Sequence, residues 1–229
     1  MDLSSPVVLS IVGLSLQVSL VAMLISLPLA VVMAKLLARP GLPGKALLSA
    51  LVHLPLVMPP VVTGYLLLLA FGRSGWIGSA LHDIGLGISF SWTGAALAAG
   101  VMAFPLIVRP IRLAFEAQDV RLAEMASLLG ASRTRRFFTI SLPLAMSGIA
   151  AGLVLGFAKA LGEFGATITF VSNIPGETQT LSLAIYSFLQ SPSGDAAALT
   201  LVAISISISV LAVLVSEWFT ARQAKRLEQ

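Results

Sequence analysis

Long apolar runs broken by short polar ones dominate the chain. About 20 apolar residues are needed for a helix to cross the hydrocarbon core of a bilayer. Five stretches meet that length: roughly Val7–Leu37, Ala46–Phe71, Trp92–Val108, Leu144–Val171 and Ala196–Trp218. Helices are the expected form, because a backbone in lipid must satisfy its own hydrogen bonds. The second stretch carries Pro55, Pro59 and Pro60, so a kinked or partly unwound helix is expected there. A sixth apolar stretch, Leu181–Gln190, is too short to cross and reads as a surface or re-entrant helix. The pattern therefore predicts an all-α, polytopic membrane helical bundle of about five transmembrane helices, forming a single domain over residues 1–229.

Composition strengthens this reading. The chain is 57% apolar and 10% charged, where a soluble domain carries about 25% charged residues. Too few charges remain to cover a water-exposed surface. The run from Leu3 to Ala34 is uncharged and lacks a cationic flank in front of it, so it is expected to be a retained first span and not a cleaved leader. There is no cysteine, hence no disulfide or thiolate metal site.

Charge placement adds orientation. With five spans, loops alternate sides. Twelve of the fourteen Lys and Arg then fall on one side: Lys35, Arg39, Lys45, Arg109, Arg112, Arg121, Arg133, Arg135, Arg136, Arg222, Lys225 and Arg226. Arg73 alone falls on the other, and Lys159 lies within a span. Cytoplasmic loops are enriched in Lys and Arg. The expected topology thus places the N-terminus outside and the C-terminus in the cytoplasm. The net charge of +4 is absorbed by this asymmetry and does not call for nucleic acid.

The most informative polar segment is residues 116–143, between the third and fourth spans. Asp119 can cap a short helix. Leu122, Ala126 and Leu129 recur on one stripe, and Gly130 suits the position that ends the helix. An amphipathic helix displayed between spans can dock a protein partner; a helix lying on the bilayer surface fits the same pattern. Within the fourth span, Gly148, Gly152, Gly156 and Ala160 recur every four residues, the spacing of a close helix seam, either inside one subunit or against a second copy. Lys159 and Glu163 follow on the same side. A charge at mid-bilayer costs about 2.5–3.5 kcal/mol on insertion scales, so the pair either borders a translocation path or forms a structural ion pair. A fixed carboxylate repels anions, which favours neutralisation of Glu163 by Lys159 over a ligand role for the lysine.

Enzyme chemistry is not supported. His53 and His82 have no partners at metal-ligand spacing, and no nucleophile elbow is present. The segment Gly41-Leu-Pro-Gly44-Lys45-Ala46 lacks both the spacing and the hydroxyl of a phosphate loop. No cofactor is expected. An ion-coupled secondary transporter would show an inverted repeat and more buried acids; neither is found.

Residues Glu124, Ala126, Gly130, Ile140, Leu142 and Pro143 resemble the loop signature of binding-protein-dependent ABC importers, with Met125 departing at a position usually alanine. The segments His53–Leu66, Gly162–Ala166 and Thr169–Thr178 resemble the molybdate group of these permeases, with tungstate, sulfate and thiosulfate permeases as relatives. The resemblance implies a type I ABC importer permease that docks its ATPase through Glu124, Met125, Ala126, Gly130, Ile140, Leu142 and Pro143. It also implies partners: a second copy of the chain, two cytoplasmic ATP-binding subunits that hydrolyse ATP, and a periplasmic oxyanion-binding protein. Some members carry an additional N-terminal span, which this chain is expected to lack. The ten residues after the last span are expected to be too few for a regulatory domain.

Overall fold

The computed structural model describes residues 5–227, with side chains described over 6–215. Arg222, Lys225 and Arg226, counted above toward orientation, have side chains outside that range. The described chain is helical: α1 (Ser5–Leu37), α2 (Lys45–Val57), α3 (Pro60–Phe71), α4 (Gly78–Asp83), α5 (Trp92–Glu116), α6 (Val120–Leu128), α7 (Arg133–Arg136), α8 (Leu142–Leu144), α9 (Met146–Leu161), α10 (Gly165–Val171), α11 (Leu181–Leu189) and α12 (Asp195–Leu227). A π-turn over Phe137–Ser141 joins α7 to α8.

Helices α1, α5 and α12 are each long and apolar enough to cross a membrane unaided. The second apolar stretch is unwound at Met58 and Pro59, in keeping with the expected kink or partial unwinding. It forms two helices, α2 and α3, meeting at 110°. Pro59 and Pro60 supply no N–H for a continuing helix, and Pro60 takes the first position of α3, where none is needed. The fourth stretch is interrupted. Helix α9 ends at Leu161, and the chain restarts as α10 only at Gly165. A second bend, of 65°, separates the segment Arg133–Leu144 from α9. The third span is longer than its apolar run: α5 continues through Arg109 and Arg112 to Glu116, past Pro105 and Pro110.

Pairwise contacts fix the direction of each piece. Helices α1 and α5 are parallel: Ser26 meets Gly100, and further along the Lys35 ammonium sits 4.7 Å from the centre of the Phe115 ring. The broken pair α2–α3 must return the chain between them. Lys45, at the start of α2, bonds Glu116 at the end of α5, while Phe71, at the end of α3, packs on Phe170. Helix α9 is antiparallel to α5, with Gly148 against Pro110 and Gly152 against Ile107. Val171, closing α10, reaches Gly94 at the far end of α5. Five passages across the bundle result, two of them broken.

The core lies along α5, whose most apolar stretch is 67% buried, against 33% for α1 and 11% for α12. Its inward residues are mostly small: Ala95, Ala96, Ala98, Ala99, Gly100 and Ala103. Without a hydrophobic force between helices in lipid, such close backbone approach supplies packing energy. The glycine stripe of α9 is part of this seam, with Gly148, Gly152 and Gly156 facing Pro110, Ile107 and Met23. It is an intrasubunit contact. The buried hydroxyls of Ser15 and Ser19 are satisfied locally, donating to the carbonyls of Ile11 and Ser15 at 2.8 Å. Ser15 also accepts the amide of Leu181 at 2.7 Å. That bond holds the short α11 beside α1, its Leu181, Ala184 and Phe188 buried against Ile11, Ala198 and Leu201. Leu9, Leu20, Leu24, Leu199, Ile206 and Leu211 face outward, as residues on a lipid-covered surface do.

Candidate docking loop and in-span charge pair

The polar end of the bundle is built from the ends of α1, α2 and α5. Glu116 accepts from Arg112 Nε at 2.9 Å and from Lys45 Nζ at 3.3 Å. Past Glu116 the chain leaves the bundle. Gln118 Nε2 donates to the carbonyl of Ser141 at 2.7 Å and ties the two feet of the loop together. Helix α6 then starts with Asp119 Oδ1 accepting the amide of Arg121 at 2.9 Å, which satisfies one of the free donors at a helix start. It ends at Gly130, whose φ is +82°. The amide of Gly130 bonds Ser127 O and that of Ala131 bonds Ala126 O, both at 3.0 Å. This double closure is the Schellman motif, and it needs the left-handed conformation that glycine adopts without strain.

Capped at both ends, α6 presents its side chains to solvent. Val120, Leu122, Glu124, Met125, Leu128 and Leu129 are all exposed, and Leu128 and Leu129 retain nearly 90% of their surface. The inner side is Ala123 and Ala126, each half-buried. Of the stripe expected from spacing, Leu122 and Leu129 lie on the displayed apolar face, joined there by Val120, Met125 and Leu128, while Ala126 turns inward. Arg136 braces the helix from behind, donating to the carbonyl of Ala123 at 3.0 Å.

The signature residues divide between two places. Glu124, Met125, Ala126 and Gly130 belong to α6 and its cap. Ile140, Leu142 and Pro143 form the turn that leads into α9. Ile140 lies in the π-turn, Leu142 packs on the core, and Pro143 occupies the first turn of α8. The exposed helix and the base of the fourth passage are thus one continuous, short-linked unit.

Lys159 and Glu163 straddle the break in the fourth passage. The ammonium lies 2.6 Å from Glu163 Oε2, and the Glu163 side chain is 1% exposed while that of Lys159 is 28% exposed. Glu163 Oε1 accepts the amide of Ala166 at 3.0 Å. The carboxylate therefore does two jobs: it neutralises the lysine, and it closes the amino end of α10, where the helix dipole favours negative charge. The expected i, i+4 pair is present, but on an interrupted helix.

Helix α10 is seated on α3. A Cβ on Gly64 would come within 2.5 Å of the Ala166 carbonyl, and one on Gly165 within 2.7 Å of Pro60 Cβ. The residues His53–Leu66 and Gly162–Ala166, singled out separately in the sequence, meet here. Thr169–Thr178 closes the same unit. Thr178 Oγ1 accepts the amide of Ile174 at 2.9 Å, and Asn173 donates to Ser187 on α11. The α3–α10 contact was missed by spacing arguments; two glycines at unrelated positions carry no sign that they face each other. The histidines stand apart: His53 bonds the carbonyl of Ser49 and His82 lies beside Arg73. Among the described residues no cluster of His, Asp and Glu could hold a metal.

Comparison with known proteins agrees with this architecture. A family model described as "Binding-protein-dependent transport system inner membrane component" matches residues 26–227. The chain is 54% identical over 222 residues to the molybdenum transport system permease protein ModB of Haemophilus influenzae, covering 96% of this chain and 97% of that protein. It is 56% identical over 214 residues to the ModB protein of Escherichia coli, covering 93% of each. A solved bacterial alginate ABC transporter, in complex with a periplasmic protein bound to an alginate pentasaccharide, superposes with a TM-score of 0.69 at 20% identity, covering 96% of this chain and 78% of that one.

Proposed function

The chain belongs to the inner membrane components of binding-protein-dependent transport systems, and from that premise we propose that it is the permease subunit of an ABC importer that carries molybdate into the cell. The substrate follows from likeness to the two molybdenum permeases over nearly the whole chain. One structural observation supports the mode of working: α6 is a short helix, capped at both ends, whose apolar residues are displayed to solvent beyond the bundle. An exposed apolar face of that kind marks an interaction surface, and its place beyond the bundle favours a protein partner.

In this reading the basic end of the bundle is cytoplasmic, and a separate ATPase subunit receives α6 in a groove. Two copies of the chain enclose the path, a periplasmic protein delivers the oxyanion, and two ATPase subunits supply the energy. Closure of the ATPases pushes α6. The turn through Ile140, Leu142 and Pro143 passes the displacement to α9. At Gly162–Phe164 the fourth passage can hinge, so α10 moves with α3 as one packed piece. Lys159 and Glu163 hold that hinge together and do not bind the substrate.

The test is ATP hydrolysis by the purified complex in lipid. Stimulation by molybdate-loaded binding protein is expected when the chain is present, and no hydrolysis is expected from the chain alone. Hydrolysis indifferent to the binding protein would refute the assignment.

A further inference from the structure

Behind α6, at the basic end of the bundle, a cleft of about 650 Å3 opens between the last turn of α1 and the inner side of the loop. Its walls carry Lys35, Arg39, Arg133 and Arg136, with the hydroxyls of Thr134 and Ser141 between them. We propose that this cleft holds the phosphate headgroup of an anionic membrane phospholipid. The proposal goes beyond the transport reading and does not depend on the substrate.

Four cations share the cleft without compensation. The ion pairs among the described residues are Lys45–Glu116, Arg112–Glu116 and Lys159–Glu163, so none of the four is neutralised by a described carboxylate. The two inner cations are nevertheless held in place. Lys35 Nζ donates to Ser141 Oγ at 3.2 Å and lies over the Phe115 ring. Arg136 spends one donor on the carbonyl of Ala123 and keeps the rest of its fork available. Guanidinium groups match the oxygens of a phosphate pairwise. Two held cations beside two exposed ones, none of them paired with a described carboxylate, call for an anion.

Depth selects the source of that anion. Lys35 is the first charge after the uncharged run Leu3–Ala34, so the cleft begins where the hydrocarbon core ends. Headgroup phosphates of the inner leaflet lie at that level, and basic pockets between spans there recruit anionic lipids. Phe137, partly buried at the edge of the cleft, offers an apolar surface for the start of an acyl chain. Arg39 and Arg133 are exposed, and substituting them removes charge without disturbing the packed core.

The experiment measures binding of a fluorescent phosphatidylglycerol to the complex of the chain with its ATPase subunits. Tested beside the unaltered complex are Arg39→Gln with Arg133→Gln, the charge-preserving pair Arg39→Lys with Arg133→Lys, and Arg73→Gln at the opposite end as control. At about 1 kcal/mol for each headgroup-level cation, removal of two should weaken binding about 30-fold. The lysine pair should retain most of the affinity, and Arg73→Gln all of it. Four binding outcomes would overturn the proposal. These are unchanged affinity in the glutamine pair, an equal loss in the lysine pair, equal binding of phosphatidylcholine, and displacement of the lipid by inorganic phosphate or molybdate, which would mark a site for a soluble oxyanion. Loss of the ATPase subunits from the glutamine pair would equally reject it, by assigning the cations to a protein contact.

Discussion

Individual residues matter most where a charge or a missing side chain has one structural answer. Glu163 is a buried carboxylate with two partners, the Lys159 ammonium and the Ala166 amide. Lys159→Met leaves that charge uncompensated. Breaking a buried pair costs about 3–5 kcal/mol; because Lys159 is part-exposed, the expected loss lies toward or below the low end of that range. Glu163→Gln keeps an acceptor for Ala166 and should be milder. The double variant should recover part of the loss, measured as thermal stability of the purified complex. Competitive uptake of molybdate and sulfate should show the same preference in all three. A large shift of preference in Lys159→Met would make the lysine a substrate ligand. Gly64 makes a sharper contrast. A methyl there would meet backbone atoms of Ala166 at 2.5 and 2.9 Å, forcing α3 off α10, an overpacking cost of about 1–3 kcal/mol. Gly13 has nothing within 4 Å. Gly64→Ala should lower transport and stability, while Gly13→Ala should be neutral or slightly stabilising.

Among the elements, α6 carries the coupling argument. Its cap at Gly130 has positive φ and open space around the missing Cβ, so strain and not collision governs substitution. A residue with a Cβ pays about 1–2 kcal/mol in that conformation, and asparagine tolerates it better than leucine. Gly130→Leu should therefore lose transport and ATPase co-purification while the chain still inserts, and Gly130→Asn should keep most of both. Normal transport by Gly130→Leu would remove the docking assignment. Helix α6 was legible because each of its signals is local: Asp119 at one end, Gly130 at the other, apolar residues between. The long helices α1 and α12 were legible because length and apolarity alone define them. The breaks were not. Residues 144–171 contain no proline after Pro143, and a hydropathy count cannot see that Glu163 turns back to cap a new helix. Pro59 and Pro60 signalled a kink or partial unwinding, but neither the 110° bend nor the seating of α3 against α10, a contact between residues a hundred positions apart, can be read from local sequence. The glycine stripe announced a close seam, and its partner α5 emerged only from the fold.

At the scale of the whole molecule, the five alternating passages gather the described basic residues of the loops at one end, with Arg73 beyond the opposite one. Absence of cysteine makes this testable directly. A cysteine at Ser74 should react with an impermeant reagent from outside, and one at Ser132 only from inside; the reverse would invert the proposed orientation. On the proposed reading, discrimination among oxyanions falls to the periplasmic binding protein. Close coordination of a tetrahedral dianion takes several convergent donors, and Lys159, the cation of the fourth passage, is already paired with Glu163. The central claim is that this chain conducts molybdate under the drive of a separate ATPase. It is tested most directly by uptake of labelled molybdate into liposomes holding the chain, its ATPase subunits and the binding protein. Uptake should require ATP and the binding protein together and should resist competition by excess sulfate. Uptake that proceeds without ATP under an imposed proton or sodium gradient would contradict the account.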